Sequence, residues 1–245
     1  NVGIYLQGID GATVTGNDVG NFETATGEND RGIWLATATK NVVIEKNVVH
    51  DIVYTGTAGY AGKGVSISTG AAASNIAIQN NMIYNMAGDG DSYTSFGALY
   101  DPTGIVVYSA GTAGVNIYYN SIYLYGNTLN FSPLSYSIGI ALDDGASASV
   151  INNSIQNNCG LLGTTGVGAV GIALETSSAQ LTTVNKNNYY CNASSGVNNI
   201  GKIAAVDYPT LAGWNTAASD ASLSGNPQYI STTNLHVSLA INSIN

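Results

Sequence analysis

The side chains with chemistry to offer are few and widely spaced. Asp143 and Glu175 stand 32 residues apart, one period of the repeat that runs through the chain, and Asp144 lies beside the first of them. Two carboxyls held about 5 Å apart on neighbouring turns suit a retaining glycosidase, with one acid and one nucleophile, or a hard cation such as Ca²⁺. Asp89, Asp91 and Asp101 form a second candidate Ca²⁺ group, without the full ligand register of a calcium loop. Tyr5, Trp34 and Tyr108 offer apolar faces with polar edges, the chemistry that stacks on sugar rings. Of the two histidines, His50 falls at the repeat position of Tyr84, Tyr123 and Tyr190 and reads as part of an aromatic stripe, while His236 reads as structural. Metal-finger, phosphate-loop and Ser-His-Asp signatures are missing.

What must position these groups is a repeat. A segment Gly-(Ile/Val)-x-(Leu/Ile/Val) starts at Gly3, Gly32, Gly64, Gly104, Gly139 and Gly171, and each is followed 14 to 17 residues later by an Asn: Asn17, Asn47, Asn81, Asn120, Asn153 and Asn187. Aligned on these anchors, Ile4, Ile33, Val65, Ile105, Ile140 and Ile172 form one apolar column, and Leu6, Leu35, Ile67, Val107, Leu142 and Leu174 a second. Three residues before the Asn stand Val14, Ile44, Ile78, Ile117, Val150 and Val184, and two after it Val19, Val49, Ile83, Ile122, Ile155 and Tyr189. Alternation with period two inside short β-branched runs means strands with one buried face, about three per repeat. A helix would need apolar spacing near 3.6 and more Ala, Leu and Glu, and a propeller would need hairpins within each blade. The expected architecture is all-β, a right-handed parallel β-helix of about six coils over residues 1–200, with an irregular closing segment over 201–245 of the same domain.

The Asn column has two physical reasons: Asn tolerates the left-handed backbone of a sharp turn, and stacked amides about 4.8 Å apart can bond to one another as a ladder. The six Asn are therefore read as structural. The long insertions, residues 20–31, 52–63, 86–103, 125–138 and 158–170, all fall between the strand after the Asn and the next Gly strand. They stack along one edge, the arrangement that marks a binding side. The outward positions of the Gly strands, Tyr5, Trp34, Ser66, Val106, Ala141 and Ala173, then Gln7, Ala36, Ser68, Tyr108, Asp143 and Glu175, would floor a groove beside them.

Segments such as Asn41-Val42-Val43-Ile44-Glu45-Lys46-Asn47 and Asn75-Ile76-Ala77-Ile78-Gln79-Asn80-Asn81 resemble the pectate-lyase-like right-handed β-helix repeats, over residues 1 to about 200. The rest, with Tyr208-Pro209-Thr210-Leu211-Ala212-Gly213-Trp214 and Asn226-Pro227-Gln228-Tyr229, looks like the closing segment of β-helix modules in secreted surface proteins of Bacteroidetes. The resemblance implies an extracellular location and a groove that holds polysaccharide. Its chemistry transfers poorly: β-elimination needs a cationic base, yet Arg31 is the only Arg and is expected in a loop, and a polygalacturonase-like site would need a Gly-His-Gly and an Arg-x-Lys that do not follow Asp143-Asp144.

Composition bounds the rest. Only 9% of residues are charged, against roughly 25% in an average soluble protein, and the net charge is −9 with six basic residues. That balance argues against nucleic acid and anionic membranes, and no apolar run is long enough to span a bilayer. The chain starts directly on strand-like sequence, as a mature fragment would. Cys159 and Cys191 lie close to one repeat apart, so a disulfide between neighbouring coils and two unrelated buried thiols remain equal alternatives. The function expected is a non-catalytic cell-surface module acting in adhesion, glycan or protein binding, or self-association, with no cofactor beyond a Ca²⁺ ion. The alternative is a polysaccharide hydrolase or lyase using Asp143 and Glu175.

Overall fold

The chain is an all-β parallel solenoid of about six turns in a computed structural model that describes residues 1–27, 29–90, 101–130, 132–163 and 167–237. Each turn contributes one strand to each of three parallel sheets. Sheet A holds the Gly strands, from Val2–Leu6 through Arg31–Leu35, Lys63–Ile67, Thr103–Val107, Tyr136–Leu142 and Gly168–Leu174 to Val197–Ile203, with Val206–Tyr208 turning back antiparallel. Sheet B, from Asp10–Thr15 to Leu181–Asn185, precedes the Asn column, and sheet C, from Asp18–Thr24 to Asn188–Cys191, follows it. The registers match the sequence columns: Ile33 pairs with Val65, Ile105 with Ile140, and Ile117 with Val150. These columns form one continuous apolar core, in which the Ile, Val and Leu residues of the middle coils are fully buried.

Two details of the coil corners explain the punctuation of the sequence. At Gly104 a Cβ would lie 2.6 Å from Gly139 O and 2.7 Å from Ile122 Cγ2, and the same squeeze recurs along the column. Only glycine lets sheet A bend this close to its neighbours. At the other corner the left-handed residue is not the ladder Asn. It is the residue before it: Gly16, Lys46, Asn80, Tyr119, Asn152 and Lys186 all have φ between 55° and 68°. The Asn side chains are thus freed to turn inward, where Asn47, Asn81, Asn120, Asn153 and Asn187 are buried. Each but the last donates twice to the next one's Oδ1, as Asn81 does from its backbone N–H (3.1 Å) and Nδ2 (2.9 Å) to Asn120 Oδ1. Asn120 Nδ2 also reaches Ile78 O at 2.8 Å, so the ladder satisfies backbone groups that the turn would leave orphaned.

The solenoid is closed at its last coil. The helix Leu211–Ala218, started by Thr210 Oγ1 accepting from Gly213 N, drives Trp214 into the end of the core with no exposed surface. Gly201 supplies the space, since a Cβ there would collide with the indole. Trp214 packs edge-on against Tyr189 and Tyr208, and its Nε1 donates to Asp220 Oδ2 at 2.9 Å. Beyond the helix the chain returns along sheet C, where Tyr229 donates its hydroxyl to Ser154 O at 2.7 Å and faces Tyr123.

Candidate functional site

The long insertions do connect sheet C to sheet A, and they stack on one another: Gly160 N–H donates to Gly126 O, Leu162 N–H to Leu129 O and Asn130 N–H to Asp89 O. Beneath them the outward face of sheet A is not an open floor. Ser66, Val106, Ala141 and Ala173 are fully buried, and Val106, Ala141 and Ala173 join Tyr136, Ile138 and Val170 in a second apolar cluster. Tyr108 is half-buried against that cluster. The sequence alternation could place these residues outward but carried no signal for what covers them.

The face opens on the first coils. Tyr5 is 47% exposed, with its ring centroid 4.9 Å from that of Trp34 and tilted by 55°. The two sit opposite each other in register because the coils are one strand apart. Trp34 is fixed from both sides: its Nε1 donates to Ser68 Oγ at 2.8 Å, and the Arg31 guanidinium lies 4.3 Å from its ring centroid. The Tyr5 hydroxyl donates to Gln7 Oε1 at 2.6 Å. Arg31 corrects the loop expectation, since it opens the strand Arg31–Leu35 and pairs with Val2 and Lys63. The result is a rigid aromatic step beside a cation, on the edge of the solenoid. Arg31 opens the strand Arg31–Leu35 three residues before Trp34.

The acids separate into two kinds. Asp143 and Glu175 are neighbours in sheet A's extension, and with Asp144 they place carboxylate oxygens within 4.8 Å of one another. Asp143 is 5% exposed and accepts from Asp144 N–H, and Glu175 Oε2 accepts from Gly145 N–H at 2.9 Å. Both therefore brace the Asp143-Asp144-Gly145 turn, whose Asp144 has φ 51°. Asp89 and Asp101 are buried and turned to backbone amides: Asp89 accepts from Gly59 N–H and Tyr60 N–H, Asp101 from Tyr136 N–H. Burial, only partly offset by those amides, holds the Asp89 carboxyl above its ordinary range. Asp91 lies outside the described residues, and Asp143, Asp144 and Glu175 are the group of described side chains whose spacing fits a cation.

Comparison of the chain with protein-family models, with characterised proteins and with solved structures finds no match. The fold and the side chains on it must carry the functional argument.

His50 does not stand in a bare aromatic stripe. Its column reads Gly20, His50, Tyr84, Tyr123, Gln156 and Tyr190, so Gln156 interrupts it. The imidazole stacks on Tyr84, with centroids 5.1 Å apart and planes 17° apart, and its two nitrogens each meet a carboxylate. His236 is held locally, with its Nδ1 2.6 Å from Asn234 Oδ1. Cys159 and Cys191 are free thiols. The register pairs Cys191 with Asn157, two residues short of Cys159, so similar spacing in sequence does not bring the sulfurs face to face.

Proposed function

We propose that this protein is a non-catalytic glycan-binding module of the outside of a bacterial cell, with the Tyr5–Trp34 step as its contact surface. One observation carries the reading: an exposed tyrosine ring packed on a tryptophan that is locked by Ser68 and Arg31. A ring fixed in advance loses little freedom when a sugar stacks on it, and Gln7, Arg31 and the Tyr5 hydroxyl offer the polar edge that hydroxyl groups need. The resemblance to pectate-lyase-like repeats supports a saccharide partner on this side of the solenoid. The acids give less support to the hydrolase alternative, because Asp143 is buried and both Asp143 and Glu175 are occupied with turn amides. A mobile proton donor and an accessible nucleophile are what that chemistry requires.

The test is binding to a panel of immobilised oligosaccharides and polysaccharides, with release of reducing ends followed in parallel. Binding that falls at least tenfold in Tyr5→Ala and Trp34→Ala, with no product formed, supports the module. Product formation abolished by Asp143→Asn would replace it with the hydrolase, and binding indifferent to both aromatic substitutions would remove the Tyr5–Trp34 surface.

A further inference from the structure

The first two coils are joined by a charge cluster around His50. His50 Nε2 lies 2.6 Å from Asp18 Oδ1 on the strand Asp18–Thr24, and His50 Nδ1 lies 2.7 Å from Asp51 Oδ2. A neutral imidazole has one donor and one acceptor nitrogen, so it can satisfy only one of these carboxylates and turns a lone pair on the other. The imidazolium donates to both. The positions corresponding to Asp18 on later coils are Val48, Met82, Ser121, Ser154 and Asn188, none of them charged.

The site is shaped for this ring. Gly20 lies opposite His50 in the register, and a Cβ there would fall 2.8 Å from Nδ1 and against the His50 carbonyl. Tyr84 closes the other face by stacking, and Asn85 Nδ2 donates to Asp51 Oδ1 at 2.5 Å, which aims that carboxylate. The groups facing His50 are therefore Asp18 from the first coil, Asp51 from its own strand and Tyr84 from the third coil, with Tyr125 beyond them feeling Asp51 and Tyr84. Among the described residues no Lys or Arg pairs with either aspartate.

We infer that His50 is a pH-operated latch: as the imidazolium it clamps the first coil to the second through Asp18, and on losing its proton it lets the first coil loosen. Val2–Leu6, Asp10–Thr15 and Asp18–Thr24 pair with the second-coil strands Arg31–Leu35, Lys40–Glu45 and Val48–Tyr54, so the His50–Asp18 contact adds to the ladders that join these two coils. Burial works against the cation, but the hydrogen bonds and charges of Asp51 and Asp18 outweigh it and hold His50 above the ordinary imidazole value of 6.5. A raised value in the folded chain means that the stabilisation is complete below the unfolded value and is lost as pH rises through the folded one. The latch is independent of the glycan reading, since it concerns the outer face of sheet C.

The experiment is hydrogen exchange of the whole chain at about pH 5 and about pH 9, corrected for intrinsic exchange, with the His50 ring titrated by NMR. Protection over residues 1–24 is expected to fall several-fold at the higher pH relative to residues 167–203, and His50 to titrate above the ordinary imidazole value of 6.5. In His50→Gln the pH difference disappears, whereas His236→Gln keeps it. Should His50→Gln fold poorly, Asp18→Asn serves, lowering the His50 transition and shrinking the difference. A His50 transition at or below the ordinary imidazole value of 6.5, or a pH difference that survives His50→Gln or Asp18→Asn undiminished, would overturn the latch.

Discussion

Asn187, the last asparagine of the ladder, donates its backbone N–H to Ser222 Oγ at 2.8 Å, and Ser222 Oγ in turn donates to Asp220 Oδ1 at 2.5 Å. Because Asp220 Oδ2 accepts from Trp214 Nε1, the ladder that runs the length of the solenoid ends in the same carboxylate that orients its plug. Ser222 therefore does for coil six what a seventh asparagine would do, and it ties the polar spine to the apolar cap.

Ser222→Ala should cost about 1–2 kcal/mol, the usual penalty for a buried N–H left without an acceptor. Trp214→Ala should cost about 3–5 kcal/mol, because it empties the end of the core above Gly201. Denaturant unfolding checks both. Equal losses, or a Trp214 variant as stable as the parent, would mean that the helix merely leans on the solenoid.

Within the ladder, Asn120 accepts from Asn81 through Oδ1 and donates to Asn153 and Ile78 through Nδ2. Asn120→Asp keeps the acceptor, removes both donors and puts a charge among buried carbonyls; Asn120→Ala removes everything. Each should cost at least about 3 kcal/mol, with Asp the worse at neutral pH and partly restored on acidification as the carboxyl takes up a proton. An Asp variant whose stability is flat from about pH 4 to about pH 8 contradicts the burial assigned to this site.

The solenoid and the ladder were legible because each depends on a column. Six apolar residues at one register position state the same fact six times, and a stack of Asn admits few other readings. What failed was local or singular. Sequence alone points to the Asn as the left-handed residue rather than to Lys46, Tyr119 or Lys186 before it, because only the turn's geometry separates the two positions. The buried state of Val106, Ala141 and Ala173 was hidden because insertions of unequal length follow no register. Asp18 and His50 lie 32 residues apart, one period, but the column that His50 shares with tyrosines points to an aromatic stripe instead. Arg31 is hidden for a related reason: it lies just ahead of the Gly anchor, where the repeat gives no apolar column.

Both cysteines should behave as thiols. Cys159 is buried and Cys191 half-buried, and desolvation pushes both thiols up. Titration with a thiol reagent in denaturant without reductant is expected to count two thiols per chain, against slow labelling of the native protein. A count near zero with an unchanged monomer mass would require the pairing of Asn157 with Cys191 to slip by two residues.

Tyr119 offers the opposite kind of test, a stabilising substitution. It is 57% exposed and held at φ 57°, where an L side chain with a bulky Cβ pays about 1–2 kcal/mol relative to the right-handed region. Its equivalents Asn80 and Asn152 adopt the same angle with a residue that tolerates it better. The contact that Tyr119 gives in return is a ring edge against Tyr118 at 6.5 Å on the protein surface, worth less than the strain it accompanies. Tyr119→Asn should therefore raise stability by about 0.5–1 kcal/mol and the melting temperature by a few degrees, without altering the circular dichroism spectrum. If stability falls instead, Tyr119 must be gripping something on the surface of sheets B and C that outweighs its backbone, and the position should then be probed as a contact site rather than as a turn.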